Sequence, residues 1–159
     1  MPVKFLDTRI FGVQEVKEML FGGKEAVGHM KPALELVADD LMEVIGINFE
    51  SQGRRGGGSW QMLSEDWVAR KAAANKDTRI LFYTHRLFDS MTKRGGEQDL
   101  VVNNYRIHFS TYVPYAVVMD EGSEELGIPA RPFIKFVRGD LLRWVKICED
   151  YLQTSMKVR

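Results

Sequence analysis

A single cysteine, Cys148, stands in a chain of 159 residues, so no intrachain disulfide can form and a reducing compartment is the natural setting. No run approaches the roughly 18 apolar residues that mark a membrane-spanning helix. Met1 to Phe5 lack the basic start and apolar stretch of a secretory leader. The expectation is a soluble chain made in the cytosol. Net charge is missing too, since 22 basic side chains balance 22 acidic ones. Strong nonspecific binding to nucleic acid rests on neutralising phosphates, and this balance argues against it. Prolines number 5 and glycines 14, against 45% apolar residues, which excludes a collagen-like or disordered chain. The length suffices for a core without disulfide staples.

The balance conceals a pattern. Residues 1–50 carry 5 positive and 9 negative side chains, and residues 51–94 carry 9 and 4. Residues 95–136 carry 3 and 6, and residues 137–159 carry 5 and 3. A basic block therefore lies between acidic ones. Either these are solvated faces, or the chain meets like copies or a polyanion there.

Hydrophobic spacing predicts an α+β fold: a small antiparallel sheet packed with a long N-terminal helix, shorter middle helices and a C-terminal helix. Val27, Met30, Leu34, Val37, Leu41 and Val44 step by three and four along a helix over 24–49. Pro32 either kinks that helix or begins its regular part. Glu35, Asp39, Asp40 and Glu43 give it an acidic outer face. A strand is expected over 3–7 and a short helix over 13–20. Ser64 is a natural cap for a helix over 64–75, and Thr84 for one over 86–91. Residues 99–104 and 105–111 read as strands joined at Asn103-Asn104. A short helix or turn fits 114–122, and 128–136 should return as an extended segment beside the hairpin. A last helix over 139–156 aligns Leu141, Val145, Cys148, Leu152 and Met156. No internal repeat is visible, so residues 1–159 read as one domain.

Between the first two long helices lies Ser51-Gln-Gly-Arg-Arg-Gly-Gly-Gly-Ser59, with no apolar residue. It reads as a flexible loop over 51–59 that stays out of the core. A helix precedes it and no Lys-Ser or Lys-Thr follows, so it is not a nucleotide-phosphate loop.

No chemistry-bearing constellation stands out. His29, His85 and His108 are not at metal-ligand spacing to one another or to Cys148, and no metal or cofactor is expected. Cys148 reads as a small core residue. His85, Asp89 and Ser90 crowd together, but a helical surface hydrogen bond from His85 to Asp89 accounts for the spacing better than a triad does. Asp120, Glu121, Glu124 and Glu125 lack calcium-loop spacing and read as a solvated acidic loop.

One ordered set of features is more informative. After the long helix and the Gly/Arg loop come Trp60-Gln-Met-Leu-Ser64, with Leu63, and then Arg70-Lys71. Arg79-Ile-Leu-Phe-Tyr-Thr-His-Arg-Leu-Phe-Asp-Ser90 follows, with Leu87 and Ser90. Tyr115-Ala116 leads to Gly122 and to Ile128-Pro-Ala-Arg-Pro-Phe133, which contains Pro129, Arg131, Pro132 and Phe133. From about Leu34 to the last helix, this order resembles the virion-morphogenesis family of tailed bacteriophages, the small neck and tail-completion proteins. The chain departs from the family's pattern at His85, where a glycine is common, and at Met119-Asp120, where His-Gln is common.

The resemblance implies a structural subunit rather than an enzyme. It implies a homo-oligomeric ring, sixfold or twelvefold, at the virion's head–tail junction, assembled in the host cytoplasm. Its neighbours would be head-connector and tail proteins, with double-stranded DNA passing through the lumen without sequence recognition. Tail terminator and head-side connector are alternative places in the same stack. Candidate inter-subunit or DNA-channel contacts are Arg54, Arg55, Arg70, Lys71 and Arg131. Arg131 is suited to holding a carboxylate bidentately, in its own fold or on a neighbour. From other classes, a nucleic-acid-binding regulator would use Arg54, Arg55, Arg70 and Lys71, and a small hydrolase or nuclease would use His85, Asp89 or the 120–125 acids.

Overall fold

Proline lacks the N–H that the first turn of a helix leaves unpaired anyway, so it is at home there. Accordingly α1 (Lys31–Glu50) carries Pro32 in its first turn and not in its interior. The computed structural model describes residues 6–9, 26–55 and 57–157. The expected helix over 13–20 lies outside them.

The apolar stripe of α1 is buried: Leu34, Val37, Leu41 and Val44 are all inside. They pack against two later helices, α3 (Arg86–Thr92) and α5 (Arg138–Lys157), as well as against β2 (Gln98–Val102). The acidic outer face of α1 is answered within the chain. Arg94 binds Glu35 and Asp39, while Arg143 and the Trp144 indole N–H donate to Asp40. Part of the opposed block charge is thus neutralised internally.

The sheet has three strands in the order β1 (Leu6–Arg9), β3 (Ile107–Thr111), β2, antiparallel throughout. Val102 faces Ile107, so the hairpin turn takes residues 103–106 and not Asn103-Asn104 alone. The Asn103 side-chain oxygen accepts from the N–H groups of Tyr105 and Arg106, which draws both residues out of the strand. The expected place of 128–136 beside the hairpin is not observed. β1 pairs with β3 on the side away from β2, and the proline segment leaves the sheet. Pro129 and Pro132 have no N–H to give a ladder.

Ser64 caps α2 (Glu65–Ala73) as expected, accepting from the Trp67 N–H at 3.3 Å. α3 starts at Arg86 as expected, but its cap position is His85, in the left-handed region at φ 60, and not Thr84. Thr84 Oγ1 lies 3.4 Å from the Arg86 N–H behind it. α4 (Ala116–Glu121) is a single short helix. α5 buries Cys148 and Leu152 as expected, with Trp144 beside them, but Leu141 at its start is half exposed. Phe49, at the end of α1, is the hub of the aromatic core, edge-on to Trp60, Phe82 and Phe88 and tilted over Phe133. Among the described residues no helix is long and apolar enough to cross a membrane.

Candidate functional site

The residues of the ordered motif, scattered from 60 to 133, converge on the end of α1. Gly122 holds φ +80, and a Cβ there would lie 2.6 Å from the Ala130 nitrogen, so only glycine lets the proline segment approach α4. Ser123 and Ile128 exchange two backbone hydrogen bonds, and the Arg131 N–H donates to the Met119 carbonyl at 2.9 Å. Asp120 then takes the N–H groups of Phe133 and Ile134 on one carboxylate oxygen. Asn48, buried in α1, donates to the Phe133 and Lys135 carbonyls, and the Trp60 indole donates to that of Pro132. Phe133 is fully buried. Leu87 is buried as well, and Ser90 donates to its carbonyl while receiving the Thr111 hydroxyl. Leu63 and Tyr115 pack on the same core. The expectation of a solvated acidic loop therefore fails at Asp120. Burial raises its pKa, against the two N–H groups that lower it.

The five candidate cations divide. Arg54 and Arg70 are exposed. Arg55 is not: its guanidinium grips the buried Asp140 carboxylate with two nitrogens, one of them at 2.7 Å. Arg143 reaches the same carboxylate at 3.2 Å, and the Val137 N–H donates to it. Burial works against the charged form of Asp140, yet its pKa falls below the ordinary value because Arg55, the Val137 N–H and Arg143 outweigh it. The Gly/Arg loop therefore contributes to the core's edge, contrary to expectation. Its first half is anchored as well. Gln52 exchanges hydrogen bonds with Ile80, and Gly53, at φ +77, lies so close to the Trp60 ring that any side chain would collide with it. No apolar residue in 51–59 signals this, because the anchor is an ion pair across 85 positions.

Lys71 and Arg131 are both buried, unlike Arg54 and Arg70. Lys71 donates its ammonium to the Arg79 carbonyl at 2.5 Å. Burial lowers its pKa, Asp77 opposes that, and the neighbouring Arg131 and Arg79 add to it. Arg131 is lowered by burial alone, and its Nε–H has no hydrogen-bond partner among the described residues. Both cations line a cavity of about 650 Å³ between α2, α3 and α4, walled mainly by Leu63, Trp67, Leu87 and Met119.

His85, Asp89 and Ser90 do not form a relay. His85 lies 3.7 Å from Asp77, not against Asp89, while Asp89 pairs with Lys93 at 2.9 Å. The expected side-chain bond from His85 to Asp89 is not formed, because His85 precedes the helix in a left-handed turn; the Asp89 N–H donates to the His85 carbonyl at 2.7 Å instead. Cys148 is buried, and burial raises its thiol pKa. No protein-family model, no curated protein and no solved structure matches this chain.

Proposed function

We propose that the protein is a structural subunit of a tailed-phage head–tail junction, a neck or tail-completion protein that joins other copies in a ring through which DNA passes. The observation that carries this reading is the ordered resemblance itself, from Trp60 through Leu87 and Ser90 to Ile128-Pro-Ala-Arg-Pro-Phe133. The packing gives it support: the residues that carry it are widely separated in sequence yet meet in one frame around Phe49 and Phe133. Such a set marks a fold that must be held rigid, which suits a ring subunit better than a catalyst. Rings close when one face of a copy fits a different face of the next. The exposed Arg54 and Arg70, and the exposed Glu124 and Glu125, supply opposite charges for such faces. Disrupting the reading frame in a phage that encodes it is the test. The expected result is filled heads and separate tails in electron micrographs; joined particles in normal number would overturn the reading.

A further inference from the structure

A guanidinium more than nine-tenths buried is costly unless an anion answers it. Arg131 is 8% exposed, beside an ammonium, Lys71, that is 2% exposed. The carboxylates at hand are already engaged. Asp77 is held by the Arg79 side chain through three contacts between 2.6 and 3.1 Å. Asp120 is committed to the Phe133 and Ile134 N–H groups. Arg131 keeps a buried Nε–H unpartnered among the described residues, and its side chain lines a cavity large enough for an organic molecule of ordinary ligand size. We propose that this cavity, between α2, α3 and α4, binds a carboxylate carried on an apolar body, with Arg131 and Lys71 as its anion-holding end.

The chemistry matches at both ends. A guanidinium fork offers two parallel N–H groups to the two oxygens of a carboxylate, and the ammonium adds a point charge. Leu63, Trp67, Leu87 and Met119 offer carbon walls to the rest of the ligand. Inorganic phosphate, all oxygen, satisfies the cations but wastes those walls. The carboxylate has two possible sources. It is a free organic acid, or it is a side chain of a second copy, whose exposed Glu124-Glu125-Leu126 has the same combination of acid and apolar surface. The inference does not depend on the phage reading.

Titration of the whole chain with 4-phenylbutyrate, followed by calorimetry and by the ¹⁵N–¹H resonance of Arg131 Nε, tests it. The acid should bind with a Kd of about 1 mM or tighter and move that resonance. The neutral 4-phenylbutanamide should bind at least about tenfold more weakly. Arg131→Met, shown by circular dichroism to be folded, should lose at least about tenfold. If the resonance moves with protein concentration alone, and Glu124→Gln with Glu125→Gln abolishes that movement, the carboxylate belongs to a second copy and the site stands. An unmoved resonance under acid and under concentration, equal binding of acid and amide, or tighter binding of inorganic phosphate than of the acid overturns the proposal.

Discussion

Asp140 and Arg131 are both buried charges next to irregular chain, and their surroundings are opposite. Asp140 is answered inside the molecule by Arg55, Arg143 and the Val137 N–H. Arg131 has a cation for a neighbour and, among the described residues, no acid that answers it. A buried charge whose partners are all internal acts as a clasp: it fixes where the Gly/Arg loop meets α5. A buried charge left open cannot be explained by stability, because it costs free energy in the isolated chain. Loss of function should therefore come with loss of fold at the first site and without it at the second.

Arg55→Glu gives the largest expected effect. It sets a carboxylate against Asp140, whose side chain is 1% exposed. Breaking a buried pair while leaving its partner charged costs about 3–5 kcal/mol. Chemical denaturation should show that loss. A change under about 1 kcal/mol would mean the clasp is not structural.

Arg131→Met should move stability the other way, by about 1 kcal/mol upward, because methionine keeps the apolar stem and removes an unanswered charge. The denaturation midpoint should rise while carboxylate binding falls, a trade of stability against function. A fall in midpoint of comparable size would reveal an internal partner for the guanidinium and erase the contrast with Asp140.

How much of this could be read in advance follows from range. The stripe Leu34, Val37, Leu41, Val44 and the Ser64 cap depend on neighbours three or four residues away, so local spacing reveals them. Gly122 and Phe133 show in the sequence only as parts of a motif, without its geometry, and Asp120 reads there as a solvated acid. Arg55 with Asp140 is a contact across 85 positions between a polar loop and a helix start. Nothing in either segment's composition names the other. The burial of Lys71 is equally hidden, since Arg70 beside it on α2 is exposed and both look alike in sequence. On α5 the period places Cys148 and Leu152 correctly and fails at Leu141, in the turn where Arg55 and Asp40 hold Asp140 and Trp144.

Acidity separates two buried carboxylates more finely. The pKa of Asp140 is lowered in the folded chain, so its contribution to stability is complete above the unfolded value and is lost as pH falls through the folded one. The pKa of Asp120 is raised by burial, so its contribution is present below the unfolded value and is lost as pH rises through the folded one. Arg55→Met should flatten the fall of denaturation midpoint below about pH 5. Asp120→Asn retains an oxygen for the Phe133 and Ile134 N–H groups without the charge, and should hold or raise the midpoint at neutral pH. A clear loss there would show that the Asp120 charge itself is needed.

Arg54→Glu carries the smallest expected effect on stability and the sharpest bearing on assembly. Arg54 is exposed and adjoins Arg55, so the two side chains share a backbone and little else. A surface reversal of this kind changes stability by less than about 0.5 kcal/mol. Arg55→Glu should reduce soluble, folded protein before any question of joining heads to tails arises. Arg54→Glu, with Arg70→Glu added, leaves the fold and tests the surface alone. If that surface docks on a neighbouring copy or faces DNA, like-charge contacts should lower the number of joined particles while circular dichroism stays unchanged. Joined particles in normal number from this folded double variant would remove Arg54 and Arg70 from the junction. The Gly/Arg loop would then matter only through Arg55, as the internal clasp on α5.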